Sequence, residues 1–317
     1  MEQRALGRSG ISVPPIIFGG NVFGWTADQA MSFRLLDACV ESGLVAIDTA
    51  DVYSYWVPGH AGGESENVIG AWLKARPGAR DKVLILTKCG MEMPNQGKGL
   101  APAWIRTSVD NSLKRMGIER IDLFQSHRDD EATPLEDTLG AYKDLIAAGK
   151  IRAIGASNYS APRLKLALDT SAKHGLPRYE SLQPHYNLME RGIEADLVPL
   201  CVEHGVGIIP YYSLAAGFLS GKYRSEADLS KSPRGTRGLA KYLDARGLRV
   251  LGVLDALAAK HGATPAQVAL AWQFGKPGIT APIASATNLD QFADLVKAAT
   301  LRLDAAGVAA LDAASAV

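Results

Sequence analysis

Residues 46–53 read AIDTADVY, a short apolar run closed by Asp48 and followed by a polar turn that ends on Tyr53. The run is too short for a helix, and it is apolar at successive positions, as a strand covered on both faces must be. The pattern recurs downstream. LILTKCG (84–90) carries Lys88 at the end of its apolar run, and DLFQSHRDD (122–130) carries His127 in the same place. Such runs, about four to six residues long, alternate with stretches of helical apolar spacing, as at Phe33, Leu36, Ala38 and Val40.

Strands are expected near 16–20, 44–48, 83–87, 121–125, 151–155, 180–183, 206–210 and 279–284. Strands of this kind separated by helices predict an α/β fold, a closed (β/α)8 TIM barrel rather than an open doubly wound sheet. RALGRSGISV (4–13), with Gly7 and Gly10 around its turn, predicts an N-terminal β-hairpin that plugs or decorates the barrel. Thr133-Pro134 with Glu136, and Thr264-Pro265 with Gln267, read as helix N-caps followed by an N1 proline. Gly149 and Gly175 stand where helix C-caps belong. Residues 221–245 read as a basic loop, in which Arg234 and Arg237 are candidates to clamp a phosphate, although a solvated loop is the plainer reading. Helices are expected at about 246–260, 265–274, 289–299 and 304–315, the last an extra C-terminal helix on the bottom or flank. No linker interrupts the chain, so residues 1–317 are expected to form one domain.

With 317 residues, 47% hydrophobic and 21% charged, the chain can bury a large core. A formal net charge of +1 gives no global field towards nucleic acid or an anionic membrane. Cys39, Cys89 and Cys201 lie far apart without a CxxC, which suggests free thiols in a reducing, cytoplasmic compartment and no metal site. No stretch approaches the ~18 apolar residues of a membrane span.

Residues at the carboxyl ends of barrel strands converge on one rim, which brings Asp48, Tyr53, Lys88 and His127 within reach of one another. Each alone is more often a cap, a packing ring, a rim cation or a structural histidine; together they suit one reaction. Reduction of a carbonyl needs a proton donor for the developing alkoxide, and a tyrosine of pKa ~10 is a weak one. An ammonium beside it favours the phenolate and lowers that pKa. Lys88 supplies the ammonium, Asp48 aims it, and a neutral His127 orients the carbonyl oxygen.

Taken in order, IDTADVY (47–53), GGESENVIG (62–70), LTKCG (86–90), DLFQSHRDD, IGASNYS (154–160), LQPHYNLMER (182–191) and IIPYYSLAAGFLSGKY (208–223) resemble the signatures of the aldo-keto reductase superfamily over nearly the whole chain. The resemblance implies a nicotinamide cofactor and a catalytic tetrad of Asp48, Tyr53, Lys88 and His127. It implies that Ser157, Asn158 and Gln183 bond the carboxamide and that Tyr211 stacks on the nicotinamide. By the same resemblance Leu214, Gly217 and Lys222 line the pyrophosphate channel, and Ser285, Ala286, Gln291 and Asp294 meet the adenosine end. No GxGxxG follows a strand, in keeping with a cofactor laid over a barrel rim.

The chain departs from the family pattern in three places. Tyr211-Tyr212-Ser213-Leu214 replaces a common Tyr-Ser-Pro-Leu, placing Tyr212 where it would crowd the pyrophosphate. Ser285, Thr287 and Gln291 stand where NADP-preferring relatives carry Lys or Arg, so the expectation is NADP with NAD as the alternative. SYWVPGHAGG (54–63) lengthens the loop after Tyr53; with Phe23, Trp25, Tyr55, Trp56 and Met91 it predicts an aromatic wall for a small-molecule substrate. Two other readings are a cofactor-binding regulatory subunit of the same fold and an aldolase using Lys88 as a Schiff-base nucleophile.

Overall fold

The computed structural model describes residues 1–93, 96–231 and 238–316; Arg234 and Arg237 lie outside the described residues. Eight parallel strands follow one another around the sheet: β3 (Ile17–Gly19), β4 (Ala46–Asp48), β5 (Leu84–Cys89), β6 (Ile121–Ser126), β7 (Ile151–Ser157), β8 (Tyr179–Gln183), β9 (Gly207–Ile208) and β10 (Ile283–Ala284). β10 pairs with β3. On its other side, Thr280 N–H donates to Ile208 O at 2.8 Å and Ile283 N–H to Pro210 O at 2.8 Å, which brings the start of β10 against β9. The sheet is thus a (β/α)8 TIM barrel, as the alternation of apolar runs predicts.

Helices α1 (Gln29–Ser42), α2 (Glu64–Ala75), α3 (Pro102–Met116), α4 (Leu135–Ala147), α5 (Ala161–His174) and α6 (Leu197–His204) connect consecutive strands from β3 to β9. After β9 come α7 (Ala245–His261) and α8 (Pro265–Phe274); after β10 come α9 (Leu289–Thr300) and α10 (Ala305–Ser315). These four fall where helical spacing places them, and α10 packs on α7. Thr264 caps α8 through a complete capping box with Gln267. The corresponding expectation at α4 is corrected: Thr133 gives its hydroxyl hydrogen to Asp130 Oδ2 at 2.7 Å, and Pro134 occupies the N-cap without a side-chain bond. Asp130 competes successfully because it organises the whole turn, also accepting the backbone N–H groups of Leu100 and Ala132. Gly175 caps α5 in the left-handed region, whereas the C-cap of α4 is Ala148, one residue before Gly149.

Side-chain alternation divides the apolar residues into two layers. Ile47, Ile85, Phe124 and Ile154 face outward beneath the helices. Ile17, Ala46, Leu86, Leu123, Ala153, Ile209 and Ile283 face inward, where Leu6, Ile11 and Val13 join them. Those last three flank or belong to the hairpin of β1 (Arg4–Ala5) and β2 (Ser12–Val13), which therefore plugs the barrel. Among the described residues, no helix is long and apolar enough to cross a membrane.

Candidate active site

The inward alternation that builds the apolar layer continues along each strand into a polar one. Two residues beyond Ala46, Leu86 and Leu123 stand Asp48, Lys88 and Gln125; Gln183 ends β8 two residues after Ser181. All four side chains are buried. Lys88 Nζ donates to Asp48 Oδ2 at 2.7 Å, to Thr49 O at 2.7 Å and to Tyr53 Oη at 3.4 Å. Asp48 Oδ1 accepts from Gln183 Nε2 at 2.9 Å and Gln125 Nε2 at 3.2 Å. An ion pair removed from water survives only when its remaining valences are met, and here they are. Gly155 makes room for this layer: a Cβ there would lie 2.3 Å from Ser181 Oγ and 3.1 Å from Gln125 Cγ. Gly155→Ala is expected to lower stability by about 1–3 kcal/mol through overpacking, read as a lower urea midpoint.

His127 lies one inward step beyond Gln125, with its ring centroid 5.9 Å from that of Tyr53. Burial, then the charges of Lys88 and Arg128, hold its pKa well below the ordinary imidazole value, so it is neutral. Its Nδ1 is buried without a partner among the described residues. Burial pushes the Tyr53 phenol well above its ordinary pKa, and the Asp48 carboxylate adds to the effect. The expected lowering by Lys88 is therefore not the net result. Asp48 sits 2.7 Å from the ammonium, and the pair presents Tyr53 with little net positive field. Burial likewise lowers the Lys88 pKa, against the pull of Asp48.

Beside the tetrad, Ser157, Asn158, Gln183 and Tyr211 meet. Ser157 Oγ donates to Gln183 O at 2.9 Å; Asn158 Nδ2 donates to His127 O and Ser157 Oγ, both at 3.0 Å. Tyr211 Oη donates to Asn158 Oδ1 at 2.8 Å, while its ring stacks on His185 with centroids 5.4 Å apart. Tyr212 is turned outward and half-exposed, edge-on to Tyr211. Beyond it, Ala215, Ala216 and Gly217 take positive φ values of 47°, 55° and 102°. Lys222 Nζ lies 3.6 Å from the point a Gly217 Cβ would occupy. Leu214 O accepts from Gly217 N–H at 2.8 Å and holds this turn.

The residues expected at the adenosine end have partners within the chain. Ser285 Oγ donates to Asn21 Oδ1 at 2.7 Å, Gln291 Oε1 accepts from Thr287 N–H at 3.0 Å, and Asp294 Oδ1 accepts from Gln267 Nε2 at 2.7 Å. Ala286 is buried. Asp294 therefore ties α9 to α8.

Of the expected aromatic wall, Trp56 stands edge-on to Tyr53, Trp25 and Tyr55, with centroids 5.6, 5.6 and 5.8 Å away. Met91 packs with Tyr53 and Trp104 around Val52 and Met93. Phe23 is placed differently from the other four. Its ring is wholly buried and stacks on Phe18 at 5.7 Å, within the large apolar cluster under the helices. The 54–63 loop is fastened by Glu64, whose carboxylate accepts the backbone N–H groups of Ser54, Ala61 and Gly62.

Motif reading missed Gln125, Glu64, Glu66 and Asp51. Inward alternation backward from His127 points to Gln125, but nothing local marks the other three as buried or as loop anchors. Among the described residues, no group of three His, Cys, Asp or Glu side chains is placed to hold a metal ion.

The comparisons with known proteins support an oxidoreductase. The Aldo/keto reductase family model matches residues 15–316, and the chain belongs to that family, whose members use nicotinamide cofactors. It is 32% identical over 312 residues to "Uncharacterized oxidoreductase YrpG" of Bacillus subtilis, covering 96% of this chain and 93% of that one. It is 30% identical over 332 residues to versiconal hemiacetal acetate reductase of Aspergillus parasiticus, covering 96% and 94%. It is 32% identical over 308 residues to L-glyceraldehyde 3-phosphate reductase of Escherichia coli, covering 94% and 87%.

Proposed function

We propose that the protein interconverts a small aldehyde, ketone or sugar-like carbonyl with its alcohol, using NADP, and that Tyr53 is the general acid and base. The observation that carries this reading is the wholly buried Lys88, whose Nζ meets Asp48 at 2.7 Å and Tyr53 Oη at 3.4 Å, with the neutral His127 ring beside Tyr53. Two relatives are named as reductases, which supports the direction of the chemistry.

The rim fits the cofactor. Tyr211 offers a ring, and Ser157, Asn158 and Gln183 offer amide and hydroxyl groups. The left-handed run at Ala215–Gly217, with the Lys222 ammonium alongside, suits a pyrophosphate. These groups would hold a nicotinamide cofactor, which when bound and reduced would supply the hydride for the carbonyl carbon. Tyr53 donates its proton to the developing alkoxide, His127 hydrogen-bonds the same oxygen, and Lys88 stabilises the phenolate left behind. Asp48, with Gln125 and Gln183 behind it, keeps Lys88 charged and pointed at Tyr53. Lys88 serves as an ammonium rather than a Schiff-base nucleophile, because the Asp48 carboxylate 2.7 Å away favours its charged form against burial. Trp25, Tyr55, Trp56 and Met91 form the substrate wall.

The pKa directions set the pH dependence. With Tyr53 raised and His127 depressed, the donor stays protonated and the imidazole neutral across physiological pH. The rate of carbonyl reduction is expected to be flat between about pH 6 and 8, and alcohol oxidation, which needs the phenolate, to rise with pH. A reduction rate that titrates near pH 6.5 would point to an ionising His127.

Purified chain is expected to consume NADPH in step with alcohol formed from small aldehydes. Tight cofactor binding without turnover on any carbonyl would instead favour the regulatory-subunit reading. Parallel fluorescence titrations with NADPH and NADH decide the cofactor, since Ser285, Thr287 and Gln291 supply no positive charge; a tenfold preference for NADH, about 1.4 kcal/mol, would overturn NADP.

A further inference from the structure

Asp51 lies within AIDTADVY, between two residues of the tetrad, yet has no part in the chemistry above. It is buried, and neither carboxyl oxygen has a hydrogen-bond partner among the described residues. Its backbone N–H donates to Lys88 O at 3.1 Å, which fixes it beside β5. The charged and titratable groups facing it come from four elements and its own loop. From α2 comes Glu66, wholly buried, accepting from Thr87 Oγ1 at 2.6 Å and from Arg115 Nε of α3 at 2.6 Å. From β5 come Lys88 and the buried thiol of Cys89, from α4 comes the buried phenol of Tyr142, and from its own loop comes Tyr53.

Both nearby cations are already matched. Arg115 is paired with Glu66, and Lys88 with Asp48 at 2.7 Å. An ionised Asp51 would be a third carboxylate facing two cations, with no side-chain donor on either oxygen among the described residues; the neighbouring Val52 N–H favours the charge but is outweighed by burial. A buried carboxylate in that position costs far more than a buried neutral carboxyl, so the group keeps its proton. Burial and the Glu66 charge both push its pKa well above the ordinary carboxylate value.

We propose that Asp51 is a neutral carboxylic acid in the folded protein and a positioning residue for the reaction, which acts through Tyr53: while protonated it leaves the Lys88 ammonium to serve the phenolate, and on ionising it opposes phenolate formation. The second half of this inference rests on the proposed role of Tyr53; the first half does not.

Two measurements on Asp51→Asn, which holds the side chain in a neutral form of the same shape, test the two halves. The first is the thermal midpoint against pH and requires no turnover. An acid whose folded pKa lies above its unfolded value loses stability as pH rises between the two. The midpoint of Asp51→Asn relative to wild type is therefore expected to climb steadily from about pH 4 upward. A difference that is constant with pH, or one that falls as pH rises, would show an ionised or unperturbed Asp51 and overturn the proposal. The second is the pH-rate profile of alcohol oxidation. Without a carboxylate to form beside it, Tyr53 ionises more readily, and the rising limb is expected to move to lower pH by about half a unit or more. A limb that coincides with wild type, or moves upward, overturns the link to Tyr53. If the wild-type chain shows no turnover at all, the oxidoreductase reading fails while the thermal measurement still decides the state of Asp51.

Discussion

Lys88→Met is expected to lower folding stability by about 3–5 kcal/mol and to abolish measurable turnover. The reason is what remains behind. Asp48 keeps its two amide donors, Gln125 and Gln183, but loses the ammonium 2.7 Å away and becomes an uncompensated charge in the barrel interior. Methionine fills much the same volume, so the loss reports the charge and not a cavity. The double variant Lys88→Met/Asp48→Asn removes both charges and is expected to recover most of the stability and none of the activity. Urea unfolding of the four proteins in this cycle gives the coupling energy directly. A single Lys88→Met variant as stable as wild type would mean that Asp48 is not held as a carboxylate.

Tyr53→Phe is the complementary case, a large effect on rate with little on the fold. Among the described residues the phenol hydroxyl has one hydrogen bond, from Lys88 Nζ at 3.4 Å, so its removal deprives the buried ammonium of its longest hydrogen bond and leaves the two at 2.7 Å in place. Loss of a positioned general acid costs on the order of 10²–10⁴ in rate. The ring itself stays, together with its edge contacts to Trp56 and His127.

The barrel was legible because its strands are buried on both faces and separated by helices with clear spacing, and because the site grows from the same inward alternation as the core. Ala46 to Asp48, Leu86 to Lys88 and Leu123 to His127 are single strands read past their apolar ends. What was not legible depends on contacts between distant segments. The burial of Phe23 depends on Phe18 receiving its ring, which nothing local announces. Thr133 satisfies every local rule for an N-cap and yields to Asp130. Glu64 is an ordinary first-turn acid by sequence, and only the fold shows its carboxylate gathering the N–H groups of the 54–63 loop. The net direction of the Tyr53 pKa was also hidden, because it depends first on burial that local sequence does not report and then on the nearby Asp48 carboxylate.

The most direct test of the central assignment is to separate binding from chemistry in Tyr53→Phe: NADPH affinity by fluorescence titration, then the rate of a single turnover when an aldehyde is added to the NADPH-loaded protein. The assignment predicts an affinity within about threefold of wild type and a single-turnover rate lower by about 10²-fold or more. A single-turnover rate equal to that of wild type would contradict it and remove Tyr53 from proton transfer.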